Sequence, residues 1–324
     1  MPSFSRSFVL LLLVAATSAA AQSTERYPDR PLRFVVPQAA GSATDNVARL
    51  IAPELARQLG QPVVVDNRPG GALTIGIDAV AKSSPDGYTI GMGPVGALAI
   101  TRHMVSKLPY DIERDLQPVA LITTGYMLLA VSLKTDFHSV RELIEYAKKH
   151  PGELSNASSS NGSPGHVSGE LFKYMTGTDI VHVPYKGGAP AIADLIAGNV
   201  QLMFESTNSI APHVRAGRVR ALAVTGARRS ASLPDVPTLM EAGVPGYEVT
   251  AWTGVIAPAH LPRPVLDKLN AAVNAAIVEP KVKERLAQMG SEGGGGSPED
   301  YAGLIRRDSA KWAEVIKRSG ARID

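Results

Sequence analysis

The chain has 324 residues, 44% apolar and 19% charged; this supports an ordinary buried core in about two domains and excludes a disordered, collagen-like or coiled-coil protein. Aromatic residues make up only 5%, and 33 Lys and Arg against 30 Asp and Glu leave a net charge of +3, so neither stacking surface nor positive charge suits a nucleic-acid binder. Cysteine is absent, which removes disulfides, thiol catalysis, zinc knuckles and iron–sulfur clusters.

Arg6 is the only charge among the first 21 residues. An apolar run over residues 8–16 precedes Ala19-Ala20-Ala21, an A-x-A cleavage site. This is the plan of a secretory signal peptide over residues 1–21, and the run is short of the roughly 20 residues of a membrane span. The mature chain is therefore expected in a bacterial periplasm. No ATP is supplied there, which argues against a kinase or ATPase.

Residues 32–36 form a β-rich run closed by Pro37, and the loop 38–45 follows. Val47, Leu50, Ile51, Leu55 and Leu59 then recur at helical spacing, with Gly60 as the stop. Residues 63–65 are a buried-type strand, Arg68-Pro69-Gly70-Gly71 a turn, and 75–82 a helix. After the turn Ser84-Pro85-Asp86-Gly87 comes a strand over 89–92 and a loop over 93–96. Strand-like residues 127–131 follow. The plan then repeats. Ser139 and Glu142 form a capping box for a helix reaching His150. Strands at 154–157, 180–183, 201–204 and 221–224 alternate with helices over 166–176 and 189–197. This alternation predicts βαβ units and mainly parallel sheets. Residues 246–257 again read as strand. The tail is helical over 264–278, 281–289 and 297–319, and the glycines of 293–296 read as a flexible connector. Two α/β units with two crossings predict two lobes: residues 22–124 plus 253–324, and residues 125–252, with hinge strands near 124 and 252.

Open α/β sheets bind ligands at the carboxyl ends of their strands. Four loops occupy that position, 38–45, 93–96, 158–166 and 184–188, and all are rich in small residues. Three lead into helices, whose N-terminal N–H groups attract anions. The four together predict a carboxylate held without arginine. Asp45 opens a helix. It either complements the helix dipole or reaches a ligand group or an ordered water, and Glu205 at a strand end has the same alternatives. His166 sits beside the serine loop as a ligand contact or a cap, whereas His182 reads as a core histidine. Tyr185 and Trp252 are either cleft wall or core.

No catalytic set emerges. Gly162-Ser163-Pro164-Gly165 lacks the G-x-S-x-G spacing, and Lys186-Gly187-Gly188 is not a phosphate loop. The seven histidines form no H-x₃-H or H-E-x-x-H pair, so no metal is expected. A periplasmic hydrolase would require a nucleophile–base pair such as Ser163 with His166.

Six segments in order carry a resemblance. They are Val36-Pro37-Gln38-Ala39-Ala40-Gly41-Ser42-Ala43-Thr44-Asp45, Val65-Asp66-Asn67-Arg68-Pro69-Gly70-Gly71-Ala72, Pro85-Asp86-Gly87-Tyr88-Thr89, Leu108-Pro109-Tyr110-Asp111, Val181-His182-Val183-Pro184-Tyr185-Lys186-Gly187 and Leu233-Pro234-Asp235-Val236-Pro237-Thr238. From about residue 27 onward the chain resembles the Bug (TctC-like) extracytoplasmic solute receptors of tripartite tricarboxylate transporters. The resemblance implies an α/β, two-lobed type II periplasmic binding-protein fold with the ligand cleft between the lobes. It implies a small carboxylate ligand, which the sequence leaves open among an amino acid, a di- or tricarboxylate and an aromatic acid; with no catalytic set among the residues, no enzymatic activity and no cofactor are expected. The expected partners are the membrane subunits of a tripartite tricarboxylate transporter, with no nucleic acid, and the expected state is a monomer. A sensor kinase's outer domain is the alternative partner.

The first-lobe grip is expected from Gln38, Ala40, Gly41, Ser42, Thr44 and Asp45 with Gly93, Pro94 and Val95. The second-lobe grip is expected from Ser158, Ser159, Ser163, His166, Tyr185, Glu205 and Thr207, with Trp252 at the crossover. The chain departs from the family pattern at Gly41-Ser42, where paired glycines are usual, at Glu205-Ser206, where Asp-Asn is frequent, and at the bulkier Gly71-Ala72-Leu73.

Overall fold

The computed structural model describes residues 27–230, 233–319 and 322. The expected signal peptide, residues 1–21, lies outside the described residues. Strands β1 (Leu32–Val36), β2 (Val63–Asn67) and β3 (Thr89–Pro94) run parallel with β1 in the centre. They are linked by helices α1 (Ala43–Leu59) and α2 (Thr74–Ala81). A π-helical turn over Gly96–Ile100 and short turns at Thr101–Met104 and Ile112–Asp115 lead to the long strand β4 (Leu116–Ser132). A second α/β series follows: α3 (Val140–Lys149), β5 (Ser155–Ser158), α4 (Pro164–Thr176), β6 (Val181–Pro184), α5 (Gly188–Ala197), β7 (Leu202–Ser206), α6 (Thr207–Arg215) and β8 (Val219–Val224). The chain returns through β9 (Thr250–Pro258) to α7 (Arg263–Val278), α8 (Pro280–Gln288), β10 (Ser291–Gly295) and α9 (Pro298–Ser319).

Local chemistry accounts for the helix ends. Ser42 caps α1 by accepting from Asp45 N, and Gly60 closes it at φ 74°. Ser139 accepts from Glu142 N at the start of α3, and the Glu142 carboxylate accepts from His138 N. At α9, Ser297 and Asp300 bond reciprocally through side chain and backbone.

Strand β4 joins the two sheets. Its residues from Leu116 to Tyr126 pair antiparallel with β9, while Met127–Val131 pair with β7 and Leu128–Ser132 with β8. Among the named strands, parallel ladders join β1 to β2 and β3, and β5 to β6 and β7. The remaining ladders are antiparallel, because β4 and β9 cross between the sheets instead of belonging to a βαβ unit. Of the glycines read as a connector, 293–295 instead lie in β10, antiparallel to Leu121–Gly125 of β4, and Gly296 follows it. Small residues suit that ladder: a Cβ at Gly294 would come within 2.6 Å of Leu121.

One apolar core runs through both sheets. It includes Val35 and Ile77 from the first series, Leu129, Phe172 and Phe204 from the second, and Tyr301, Ile305 and Trp312 of α9. Burial of each such side chain contributes roughly 1.5–3 kcal/mol. Helix α9 packs against β4, the turn 96–100 and α4, so the C-terminal helix touches both series.

Candidate functional site

At the carboxyl ends of β1 and β2, Val36 and Asn67 are register partners. Asn67 Nδ2 donates to the Gln38 carbonyl and to Asp45 Oδ1, each at 2.9 Å. Asp45 Oδ2 accepts from Gly41 N at 2.8 Å and from Arg49 Nε at 2.9 Å. Burial pushes the Asp45 carboxyl up, but the bonds from Arg49, Gly41 and Asn67 outweigh it and hold the group below its ordinary value. The Asp45 carboxylate therefore ties the loop 38–45 to β2. Thr44 is buried beside it, Ser42 is half-buried as the cap, and Ala40 and Gly41 are exposed. Asn67 and Arg49 were missed in the sequence reading. Asn67 lies in a quoted segment at a strand end, and Arg49 stands one helical turn after Asp45, which is the signal for an ion pair.

Gly76 permits close packing here, since a Cβ would meet Pro37 Cα at 2.6 Å. Just before α2, Ala72 and Leu73 adopt left-handed backbone at φ 51° and 80°. Each such residue costs about 1–2 kcal/mol. Gly93 and Pro94 belong to β3 and not to a loop, and Val95 is a core residue only 3% exposed. The Gly93 carbonyl accepts from Tyr301 OH.

The second series builds a denser polar cluster. Ser163 caps α4 by accepting from His166 N, and His166 Nδ1 accepts from Gly162 N at 3.1 Å. The His166 and His182 rings stack at 3.8 Å, and His182 Nε2 shares a 2.7 Å hydrogen bond with Ser158 Oγ. Burial, with each other's proximity and Lys173, pushes His166 down to about 3; burial and Lys173 push His182 down to about 4. Both rings are neutral near pH 7. The Ser163 hydroxyl meets the main chain of His166 rather than its ring. A bond between the Ser163 hydroxyl and the His166 ring, which that hydrolytic pair would need, is thus not among the described bonds.

The Ser158 and Ser159 carbonyls accept from Tyr185 N and Gly187 N, both at 2.9 Å, which joins the loops 158–166 and 184–188. Tyr185 OH donates to Asp194 at 2.6 Å. Glu205 Oε1 accepts from Ser206 N at 2.7 Å, and Thr207 OH donates to the Tyr126 carbonyl. Burial pushes the Glu205 carboxyl up, only partly offset by Ser206. Trp252 is 3% exposed, donates to Asp308 Oδ2 at 2.6 Å and packs edge-on against Tyr301. It fills the core where β9 passes between the sheets.

Three glycines reveal how the turns converge. A Cβ at Gly165 would lie 2.2 Å from the Phe204 carbonyl oxygen, and one at Gly188 would lie 3.0 Å from Glu205 Oε2. The loops 158–166, 184–188 and 205–207 therefore form one cluster. A Cβ at Gly96 would lie 3.1 Å from Leu73 Cδ1 and 3.8 Å from the Gly162 carbonyl oxygen. The first-series and second-series turns meet at that point. A separate concavity of about 450 Å³, lined by Arg30, Lys82, Ser84, Asp86 and Tyr88 among others, lies at the amino ends of β1 and β3, away from this meeting. Among the described residues no group of three or more His, Asp or Glu could hold a metal ion, and no helix is long and apolar enough to cross a membrane.

Comparison with known proteins gives consistent likenesses. The family model described as "Tripartite tricarboxylate transporter family receptor" (TctC) matches residues 47–321. The chain is 40% identical over 308 residues to a protein encoded in the tcbD–tcbE intergenic region of Pseudomonas sp. strain P51, covering 95% of this chain and 91% of that protein. It is 36% identical to protein BugT of Bordetella pertussis, over 97% of this chain and 96% of that protein. Among solved structures, R. palustris Rpa4515 with adipate superposes with a TM-score of 0.81 at 41% identity, covering 92% of this chain and all of that one (100%). MatC from Rhodopseudomonas palustris with bound malate superposes with a TM-score of 0.78 at 35% identity, covering 90% of this chain and 100% of that one. The parallel units joined by crossing strands and the match over nearly all of the described chain agree: this chain belongs to the TctC (Bug) family of periplasmic solute receptors.

Proposed function

We propose that this protein captures a small carboxylated metabolite between two lobes and delivers it to the membrane subunits of a tripartite tricarboxylate transporter. The lobes are residues 22–124 plus 253–324 and residues 125–252. The change of pairing partner along β4 at Tyr126 and Met127 supports hinges near 124 and 252. The observation that carries the reading is the meeting of Gly96 with Gly162, which aligns small-residue turns from both series on one spot. Ala40, Ser42 and Ser159, which reach solvent, are the proposed contacts, through main-chain N–H groups and hydroxyls; Gly41, whose N–H serves Asp45, and the buried Thr44 and Ser158 belong with the residues that shape the loops. Gln38, Asp45, Gly93, Pro94, Val95, Ser163, His166, Tyr185, Thr207 and Trp252 support them by holding loop shape. A charge-assisted hydrogen bond contributes roughly 1.5–3 kcal/mol net, so four or five suffice for the roughly −8 kcal/mol of micromolar binding after association costs. Adipate and malate, the ligands of the two similar solved proteins, are the first carboxylates to test.

A ligand bridging both lobes stabilises the closed form by its differential affinity. The expected result is a rise in melting temperature with at least one member of a carboxylate panel, together with a smaller radius of gyration in solution scattering. A panel of mono-, di-, tri- and aminocarboxylates that leaves both unchanged defeats the reading. The protein is expected to work as a periplasmic monomer, which scattering at the same concentrations also reads.

A further inference from the structure

Four carboxylates are buried among the described residues: Asp45, Glu170, Glu205 and Asp308. Three have a cation at hand. Asp45 meets Arg49 at 2.9 Å, Glu170 meets Lys173 at 2.9 Å, and Asp308 meets Lys311 at 3.1 Å. Glu205 is 8% exposed and forms no ion pair with a described cation. Its neighbours are dipoles instead. Oε1 takes the Ser206 N–H, and Oε2 lies against Gly188, the first residue of α5. Ser206 and Gly187 precede α6 and α5, and neither helix has a side-chain cap bond. Glu205 thus places its carboxyl group beside two helix starts, where negative charge is favoured, bonded to the Ser206 N–H and against Gly188.

This has a chemical consequence for the proposed cleft. The starts of α5 and α6 are already served by an internal carboxylate, so they are poor seats for a ligand carboxylate. Two like charges crowded there would repel. A buried carboxylate lacking a counter-charge is itself costly, and a cation brought by a ligand would relieve that cost. Position along β7 directs the group. Met203, two residues earlier and on the same strand face, packs with Ile192 and Leu195 of α5, while Leu202 and Phe204 face the other core. Glu205 is therefore the last residue on the α5 face, at the carboxyl end of the strand, beside the loops 158–166 and 184–188.

We infer that Glu205 selects ligands by charge, supplying the counter-ion for an ammonium group on a carboxylated ligand and disfavouring a second carboxylate at the same place. The inference rests on the receptor reading above and adds the ligand's second functional group to it. The carboxylate end is left to the turns 38–45 and 158–166.

The test is calorimetric titration of the purified protein with matched pairs: L-aspartate against succinate, L-glutamate against glutarate, and 6-aminohexanoate against adipate. In the pair whose length the cleft accepts, the ammonium-bearing member is expected to bind at least ten-fold tighter. Glu205→Gln is expected to bring that ratio within three-fold of one by weakening the ammonium-bearing member. Glu205→Asp keeps the charge and is expected to keep the direction of preference; it decides the matter with the wild type if Glu205→Gln fails to fold, as judged by its melting curve. A wild type that prefers the ammonium-free members overturns the inference while leaving the receptor reading intact, as does a Glu205→Gln variant with unchanged ratio. A wild type that binds none of the six, nor any carboxylate of the wider panel, overturns the receptor reading and this inference with it.

Discussion

The imidazole rings of His166 and His182 lie 3.8 Å apart and 13° from parallel. The stack joins the first turn of α4 to strand β6, and each ring also bonds the serine loop, at Gly162 and at Ser158.

The stack makes stability depend on acid. Both rings titrate below their ordinary value of 6.5 in the folded state, at about 3 and about 4, so the unfolded chain binds protons first as pH falls. Their stabilising contribution is full above pH 6.5 and declines down to pH 3–4. Between pH 7 and pH 4.5 the loss is about 2 kcal/mol for His166, and less for the half-buried His182. Urea midpoints measured across that range check the slope; a double His166→Gln, His182→Gln variant is expected to flatten it.

The Asp45 network predicts an asymmetry between partners. Asp45 is 1% exposed and serves Gly41, Asn67 and Arg49 at once, whereas the Arg49 side chain is half in solvent. Asp45→Ala is expected to cost about 3 kcal/mol, because it strands several donors together. Arg49→Ala is expected to cost about 1 kcal/mol, since that pair is screened by water. Denaturant titration of both variants decides whether the carboxylate, rather than the ion pair, organises the loop.

Two glycine substitutions separate backbone obstruction from side-chain obstruction. Gly165→Ala places a methyl 2.2 Å from the Phe204 carbonyl, and neither main chain can step aside. A loss of about 3 kcal/mol or failure to fold is expected. Gly188→Ala meets only the Glu205 carboxylate at 3.0 Å, which can rotate away. Its melting temperature is expected to stay within a few degrees while ligand affinity falls, measured on the same preparation.

Ala72→Gly carries the opposite sign. At φ 51° and ψ 45° the alanine Cβ is crowded by its own backbone, and glycine removes that strain. The gain is about 1 kcal/mol, reduced by the greater freedom of glycine when unfolded. A higher urea midpoint for the variant is the expected reading. An unchanged or lower one shows that the alanine methyl packs usefully.

The legible features were local ones. Ser139, read with Glu142 as a capping box, sits where a helix begins and accepts a bond from Glu142 N three positions on, so a few consecutive residues specify the cap; Ser42 and Ser163, expected as ligand contacts, cap helices in the same way. The crossing strand was harder. Pro118 and Gly125 interrupt the β-rich pattern of β4, and only residues 127–131 read as strand. The ladder with β9 holds the rest through hydrogen bonds to a segment more than a hundred residues away. The glycines of β10 have no strand propensity of their own and become a strand because the edge of β4 offers partners.

The amino-acid sequence by itself determined the alternation of elements, three of the four small-residue turns and the family, because periodicity, caps and ordered motifs all act over short spans of chain. Tertiary structure alone decided which turns meet. It set Asn67 against Asp45, stacked His166 on His182, and left Glu205 as the buried carboxylate with no cation among the described residues. The physical reason is that counter-charge and close approach are properties of neighbours in space. Strand register and helix packing bring those neighbours together from positions that no local pattern connects.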